Sequence, residues 1–147
     1  MPANRIRSIA ICVFEHHGRY LLIEGYDFAK QSYYYRPMGG GIEFTETGKA
    51  AVIREIREEI GADIQNVQQC CIFENIFTLN GAPGHEVVFV YSADFADQSY
   101  YRQEVIMGSE DDGSTFKMVW RGQNDFDEQH RLVPEKLAGI LKASSPH

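Results

Sequence analysis

The sequence predicts an α+β fold, an α/β/α sandwich with a mixed central sheet. Segments rich in β-forming residues occur in neighbouring pairs with turn residues between them, and two helical segments interrupt this pattern. The chain has 147 residues, of which 44% are hydrophobic, a size that can bury a core without disulfides. We therefore expect a single domain over residues 1–147.

The first two β-segments predict a hairpin. Residues 7–15 (RSIAICVFE) and 19–27 (RYLLIEGYD) are rich in β-forming residues, and His16, His17 and Gly18 between them are typical of a turn. A shorter strand is predicted at residues 33–41 (YYYRPMGGG), where it ends at the glycines.

The next segment changes to a helical period. The hydroxyl of Thr47 offers an N-cap for this helix, and Gly61 stands where a C-terminal cap belongs. One flank of the helix is apolar and predicts contact with the core through Ile53, Ile56 and Ile60.

Three glutamates lie on another flank of this helix. Glu55, Glu58 and Glu59 fall within an arc of about 100°, where like charges repel each other by a few tenths of a kcal/mol per pair. Hard divalent cations such as Mg²⁺ bind carboxylate oxygens together with substrate phosphates, and a bound cation would reverse this repulsion. A merely solvated acidic face is the alternative for a chain of net charge −7.

Three glycines, Gly39, Gly40 and Gly41, come shortly before the helix. Because they have no Cβ, they allow the backbone to approach a ligand or metal closely. They do not match a phosphate-binding loop, since the chain lacks both GxxxxGK[ST] and GxGxxG. Their carbonyl groups could instead complete a cation site.

The second half of the chain predicts a further hairpin and a C-terminal helix. Residues 69–79 (QCCIFENIFTL) and 85–95 (HEVVFVYSADF) are the predicted strands, with the turn-forming NGAPG at residues 80–84 between them. The polar stretch 97–115 predicts a loop, and residues 116–120 (FKMVW) predict a short strand. Residues 133–142 predict the helix, with Pro134 in its first turn.

The composition argues against a nucleic-acid partner and against a membrane. The 14 basic residues are outnumbered by 21 acidic ones and form no long basic tract, which binding to a phosphate backbone requires. No stretch approaches the roughly 20 apolar residues of a membrane span, and no apolar signal region follows the polar start. We therefore expect a cytoplasmic protein. Cys12, Cys70 and Cys71 form no CxxC pair and are predicted to be buried thiols.

The segment from Gly40 to Ala62 resembles the Nudix box, G-x5-E-x7-R-E-U-x-E-E-x-G-U, in which U is a bulky aliphatic residue. The resemblance covers 23 residues, and only Ala62 is smaller than the motif's residue at its position. The charged and glycine positions of the motif are filled by Gly40, Glu46, Arg54, Glu55, Glu58, Glu59 and Gly61. The order of the flanking strands also resembles the Nudix fold.

This resemblance implies a Nudix hydrolase that cleaves a diphosphate linkage in a nucleoside diphosphate joined to another group. Mg²⁺, with Mn²⁺ as the alternative, would neutralise phosphate oxygens and lower the pKa of a water that attacks phosphorus in line. The implied catalytic residues are Arg54, Glu55, Glu58 and Glu59. The three glutamates would be metal ligands, or ligands plus a base, and the carbonyl of Gly40 would be a further ligand. Glu46 and Arg54 would orient them by ion pairing.

The resemblance leaves the substrate open among nucleotide sugars, nucleoside triphosphates and dinucleoside polyphosphates. The alternative function is a non-catalytic Nudix-like module that senses or binds a nucleotide metabolite. Loss of carboxylates from the box would indicate such a module, and none is lost. A homodimer is a further option that the family implies and the sequence leaves open.

The candidate substrate-binding residues outside the box are Tyr34, Arg36 and Glu86. Arginine can clamp a phosphate and tyrosine can stack on a base. Because side chains alternate along a strand, Tyr34 and Arg36 face away from Tyr33 and Tyr35, so one pair is predicted to line a cleft and the other to pack. Glu86 is either an auxiliary base or ligand, or the polar end of a hairpin.

Charged residues elsewhere in the chain are further candidates for the site. Members of this family often draw a further acid from a loop beyond the box, and Glu104 and Glu110 are favoured over Asp111 and Asp112 for that position. Arg5 and Arg7 predict an exposed N-terminal arm, with contact to an anionic substrate as the alternative.

Overall fold

Ten β-strands and two α-helices form the part of the chain that the computed structural model describes, residues 4–144, with side chains through residue 141. The ends of the predicted domain lie outside these residues. In chain order the elements are β1 (Ile6–Val13), β2 (Glu15–His16), β3 (Arg19–Asp27), β4 (Ser32–Arg36), β5 (Met38–Gly41), α1 (Gly48–Ile60), β6 (Ile64–Leu79), β7 (Ala82–Phe95), β8 (Val105–Ser109), β9 (Thr115–Gly122), β10 (His130–Leu132) and α2 (Leu137–Ser144).

The strands form two sheets. The first sheet has the order β5-β1-β7-β6, in which β1 runs parallel to β7 and the other pairs are antiparallel. The second sheet has the order β10-β4-β3-β9-β8, with β2 paired to β3 and with β10 parallel to β4. Both sheets are therefore mixed, as the sequence predicts.

The sheets lie between the two helices and bury one core on each side. The core on the side of α1 contains Ala10 and Cys12 from the first sheet, and Leu21 and Met118 from the second. The core on the side of α2 contains Ile11 and Val88 from the first sheet, Leu22 and Val119 from the second, and Leu137 and Leu141 from the helix. This order of layers confirms the predicted α/β/α sandwich.

Helix α1 begins and ends at the predicted caps. The hydroxyl oxygen of Thr47 accepts a hydrogen bond from the backbone N–H of Ala50 at 3.1 Å. Gly61 has a φ of 71°, and its N–H donates to the carbonyl of Arg57 at 2.9 Å. Local capping chemistry thus determines the bounds of this helix.

The buried face of α1 differs from the predicted isoleucine flank. Val52 and Ile56 are fully buried, whereas Ile53 is only half-buried. Glu59 completes the buried face and is 5% exposed. The reason is that β8 packs against α1 on this side, and β8 lies in the stretch that the sequence predicts as a loop.

The predicted first hairpin is wrong in its pairing. The turn at His17 and Gly18 joins β2 to β3, so the residues that pair with β3 are Glu15, the last of the predicted strand, and His16, which was predicted to lie in the turn. Strand β1 pairs instead with β5 and β7 in the other sheet. Helix α2 begins at Leu137, after Pro134 rather than around it. Cys12 is buried as predicted, but Cys70 is exposed.

The predicted second hairpin is confirmed, with a tighter turn. Leu79 pairs with Ala82, so the connection consists of Asn80 and Gly81 alone. Polar contacts join its tip to the turn between β3 and β4 in the other sheet. The Oδ1 atom of Asp27 accepts from the N–H of Asn80 at 3.3 Å, and the Oδ1 atom of Asn80 accepts from the N–H of Phe28 at 2.7 Å. The side chain of Lys30 donates to the carbonyl of Thr78 at 2.8 Å.

Within residues 4–144, no helix has the length and hydropathy needed to cross a bilayer.

Candidate functional site

The guanidinium group of Arg54 lies among the charged side chains of the box. Its Nε and Nη2 atoms donate to the two carboxylate oxygens of Glu46 at 2.7 and 2.8 Å. Its Nη1 atom donates to Glu55 at 3.0 Å and to Glu58 at 3.3 Å. The structure therefore brings Glu46, Arg54, Glu55 and Glu58 together.

Hydrogen bonds from Arg54 lower the pKa of Glu46 to about 2, and those to Glu46 raise the pKa of Arg54 above its usual value. A tight turn before α1 holds Glu46 in place. The N–H of Glu46 donates to the carbonyl of Glu43 at 3.0 Å, and the N–H of Glu43 donates to the Glu46 carboxylate at 3.1 Å. Both Glu46 and Arg54 are consequently charged and fixed over a wide pH range.

The backbone of β5 meets the carboxylate of Glu55 at Gly40. A Cβ atom added to Gly40 would stand 2.6 Å from Cδ of Glu55 and 2.7 and 2.8 Å from its two oxygens. Any other residue at this position would have to displace the carboxylate. The glycine at the start of the box is therefore a steric requirement of the site.

Glu59 is the buried carboxylate of the site. Its two oxygens make no hydrogen bond within the part of the chain that is described. Burial raises the pKa of Glu59 to about 9, and the charges of Glu110 and Glu55 act in the same direction, whereas Arg36 opposes them. Because a buried carboxylate without a partner is costly, this position requires either a proton or a cation.

The donor set fits a hard divalent cation, although the carboxylates do not form a closed shell. Among the described side chains, no three or more histidine, cysteine, aspartate or glutamate residues lie at metal-binding spacing. Arg54 draws Glu55 and Glu58 towards its guanidinium group, and the Glu58 side chain is 42% exposed. The fit rests on the unpaired oxygens of Glu59 and on the contact between Gly40 and Glu55.

The last four residues of β4, Tyr33 to Arg36, divide into two pairs. Tyr35 is buried, and its hydroxyl donates to Glu24 at 2.8 Å. Tyr33 is 43% exposed, and its ring stacks on that of His130 with a centroid distance of 5.6 Å. The other pair, Tyr34 and Arg36, lies on the opposite face.

On that face, the ring of Tyr34 covers Gly25 of the neighbouring strand. The charge of Arg36 reaches both Glu59 and Glu86. Arg36 pairs with Ile23 of the core on the α1 side, whereas Tyr35 belongs to the core on the α2 side, so the pair that contains Arg36 faces α1 and the pair that contains Tyr35 faces α2.

Glu86 lies in a row of three side chains across the first sheet. Its register partners are Arg7 in β1 and Asn75 in β6. Burial raises the pKa of Glu86, and Arg7, Asn75 and Arg36 oppose this rise. Glu86 is therefore not merely a solvent-exposed polar residue at the end of a hairpin.

A NUDIX domain sequence profile matches residues 4–138. The chain belongs to the Nudix family. The fold is also that of solved Nudix structures. The chain is 24% identical to the MutT NUDIX hydrolase from Burkholderia pseudomallei, over 92% of this chain and 96% of that one, with a TM-score of 0.63. It is 19% identical to a NUDIX hydrolase from Nitrosomonas europaea, over 97% and 93% of the two chains, with a TM-score of 0.65. No curated protein matches the sequence significantly.

Sequence reasoning missed three features of this Nudix site. The carbonyl of Gly41 accepts a hydrogen bond from Nη2 of Arg54 at 3.2 Å. Asn75 lies on one side of Glu86, and Arg7, at the start of the predicted first strand, lies on the other. Of the loop acids that the sequence left open, Glu110 is the one whose charge acts on Glu59.

Proposed function

We propose that this Nudix protein hydrolyses a diphosphate linkage in a nucleoside diphosphate joined to another group, with Mg²⁺ or Mn²⁺ as its cofactor. The observation that carries the proposal is the carboxylate of Glu59, which is 5% exposed and faces two like charges. Its oxygens have no hydrogen-bond partner among residues 4–141. A cation shared with substrate phosphates would satisfy them.

Glu55, Glu58, Glu59 and the carbonyl of Gly40 are the proposed ligands. When bound there, a divalent cation would neutralise charge on the phosphate oxygens and activate water for hydrolysis. The task of Arg54 is positioning. Because Glu46 holds two of its nitrogen atoms, its remaining N–H groups fix the carboxylates of Glu55 and Glu58.

The proposed contacts to the substrate come from β4 and β7. Arg36 lies on the face of β4 that is turned to α1, and it would donate to a phosphate oxygen, which its planar group can contact with two nitrogen atoms. Tyr34 and Glu86 would contact the remainder of the substrate. The substrate is proposed to be a small nucleotide-type molecule: a nucleotide sugar, a nucleoside triphosphate or a dinucleoside polyphosphate.

The test is a panel of these three substrate classes with Mg²⁺ and with Mn²⁺, scored for release of phosphate or nucleoside monophosphate. We expect turnover by the native protein, and its loss in a variant that combines Glu58→Gln and Glu59→Gln. Glu128→Gln is the matched control, because Glu128 is exposed and lies in the loop before β10. Circular dichroism verifies that each variant is folded.

Full activity of the double variant would refute the assignment of these carboxylates. Silence of the native protein across the panel would refute the hydrolase, and metabolite binding without turnover would then support the alternative of a sensing module. The cytoplasmic location, the homodimer and the absence of a nucleic-acid partner stay predictions from the sequence.

A further inference from the structure

The second sheet has a pocket on the face that is turned to α2. Tyr35 and Tyr20, which is the partner of Arg121 across β3 and β9, both belong to the core on that side. The pocket has a volume of about 570 Å³, within the range of small-ligand sites. Its walls come from β3, β4, β9 and β10, and its rim comes from the loop between β9 and β10. It therefore contains no residue of the Nudix box.

Arg121 of this pocket has no ion-pair partner among residues 4–141, since no carboxylate lies within 4.0 Å of its guanidinium group. Its Nη1 atom donates to the carbonyl of Trp120 at 3.0 Å, and its Cζ atom lies 5.6 Å from the centre of the Tyr35 ring. These contacts hold the group in place. A guanidinium group has five N–H donors, so further donors remain for an anion.

Glu24 lines the same pocket but is bound within the sheet. One of its oxygens accepts from the hydroxyl of Tyr35 at 2.8 Å, and Nζ of Lys117 lies 3.6 Å from the other. Burial raises the pKa of Tyr35 to about 12, and the hydrogen bond to Glu24 acts in the same direction. The hydroxyl consequently stays protonated and keeps donating, so Glu24 does not need Arg121 as a partner.

Two further carboxylates at the rim are bound to their own turns. Asp125 accepts from the N–H of Gly122 at 2.8 Å. Asp127 accepts from the N–H groups of Gln129 and His130 at 2.9 and 2.8 Å. Both carboxylates line the pocket and would repel a ligand of high negative charge. An anion that binds here is therefore expected to carry one charge rather than two.

An aromatic surface forms another wall of the pocket. The ring of Tyr33 is parallel to that of His130 within 3°, and the ring of Tyr26 contacts it edge-on at 5.0 Å. Tyr33 is nevertheless 43% exposed, so part of its fixed ring is open to a ligand. Tyr33 and Tyr35 are two residues apart on β4, about 7 Å along the strand. Because Arg121 packs on Tyr35, one ring with an attached acid group can reach both the guanidinium group and Tyr33.

We propose that this pocket binds a small planar ring that bears a single carboxylate. The carboxylate accepts hydrogen bonds from Arg121, and the ring stacks on Tyr33. The site is separate from the one that the proposed function uses, because it faces α2, whereas Glu55 and Glu58 lie on α1.

Benzoate is the probe, titrated in buffer that contains EDTA into isotopically labelled protein, with binding followed by amide NMR. We expect binding at millimolar concentration, with the largest shifts at Tyr33, Arg121 and His130. Three comparison probes each change one feature of benzoate: benzamide has no charge, cyclohexanecarboxylate has no aromatic ring, and phenyl phosphate carries a second charge. Each is expected to bind about fivefold or more weakly than benzoate.

Two variants test the two contacts separately. Arg121→Gln is expected to weaken benzoate binding about tenfold and to remove the preference over benzamide. Tyr33→Leu keeps the apolar bulk and is expected to remove the preference over cyclohexanecarboxylate. Arg102→Gln is the matched control, since Arg102 is exposed and lies in the segment between β7 and β8.

The proposal is overturned if benzamide binds as tightly as benzoate, or if phenyl phosphate binds more tightly. It is equally overturned if benzoate shifts residues elsewhere, or if the native protein does not bind it at millimolar concentration. The comparison of probes needs only the native protein, so it decides the question even where a variant does not fold. No residue of the box takes part, so failure of this site is separate from failure of the proposed hydrolase.

Discussion

Arg54 and Glu46 form a bidentate ion pair, in which Nε and Nη2 donate to the two carboxylate oxygens at 2.7 and 2.8 Å. The residues are eight positions apart, one in the loop before α1 and the other on the helix. The pair therefore fixes the loop to the helix and leaves Nη1 for Glu55 and Glu58. The arrangement needs the planar fork of arginine, which lysine lacks.

Arg54→Lys is expected to lower kcat by about 10- to 100-fold with a smaller change in KM, because the charge stays while the carboxylates lose their orientation. Steady-state kinetics on a substrate identified in the panel provide the measurement. Arg57→Lys is the control on the same helix, where Arg57 pairs with Asp63 at 2.9 Å on the surface. Equal losses in both variants would contradict a positioning role for Arg54.

Glu46→Gln is expected to flatten the dependence of stability on acid pH. The pKa of Glu46 in the folded protein is about 2, below its ordinary value of 4.5. Its carboxylate therefore stabilises the fold above about pH 4.5, and this contribution is lost as the pH falls towards 2. Urea unfolding between pH 5.5 and 2.5 measures the slope. An unchanged slope in the variant, with Glu128→Gln for comparison, would contradict the prediction.

Asp27→Ala is expected to loosen both turns at the end of the sheets. The carboxylate accepts N–H groups from its own turn and from Asn80 in the other sheet, so its loss leaves donors of both segments unpaired. Hydrogen exchange should increase in residues 27–32 and in 78–82, and Tm should fall. Asp112→Ala is the control, because Asp112 accepts only within its own turn, from Ser114 at 2.9 Å. Faster exchange confined to residues 27–32 would refute the connection between the sheets.

Mg²⁺ is expected to raise the Tm of the native protein and to have little effect on Glu59→Gln. Linkage gives about 2.7 kcal/mol of stabilisation at a free cation concentration 100-fold above Kd. In EDTA at neutral pH, Glu59→Gln should be more stable than the native protein, because burial obliges Glu59 to take up a proton on folding, whereas the amide is neutral in both states. Thermal unfolding with and without the cation measures both effects. An equal response of native protein and variant to Mg²⁺ would exclude Glu59 as a ligand.

The sequence predicts the parts of this site that depend on local chemistry. Thr47 and Gly61 are caps that act within one turn, so the bounds of α1 follow from them. The register of the second hairpin also follows from local chemistry. A two-residue Asn-Gly turn pairs Leu79 with Ala82, and the same register sets Asn75 opposite Glu86.

The remainder depends on contacts between distant segments. The parallel pairing of β1 with β7 brings Arg7 beside Glu86, and no local signal in the sequence specifies this pairing. Strand β8 is short, and the segments on either side of it in the sequence are polar. It is stabilised by pairing with β9 and by contact with α1. The sequence predicts a loop in place of β8. It therefore does not predict that β8 covers Glu59 and buries it.

The burial of Glu59 has a consequence for how this protein would evolve under selection. Glu59 destabilises the folded chain and contributes only to activity. Such a residue is expected to be replaced first when activity is no longer selected for. Libraries of variants screened for thermostability alone, in the absence of divalent cations, should therefore accumulate replacements at Glu59 before they do so at the more exposed Glu58. Retention of this glutamate would then serve as a record of selection for activity.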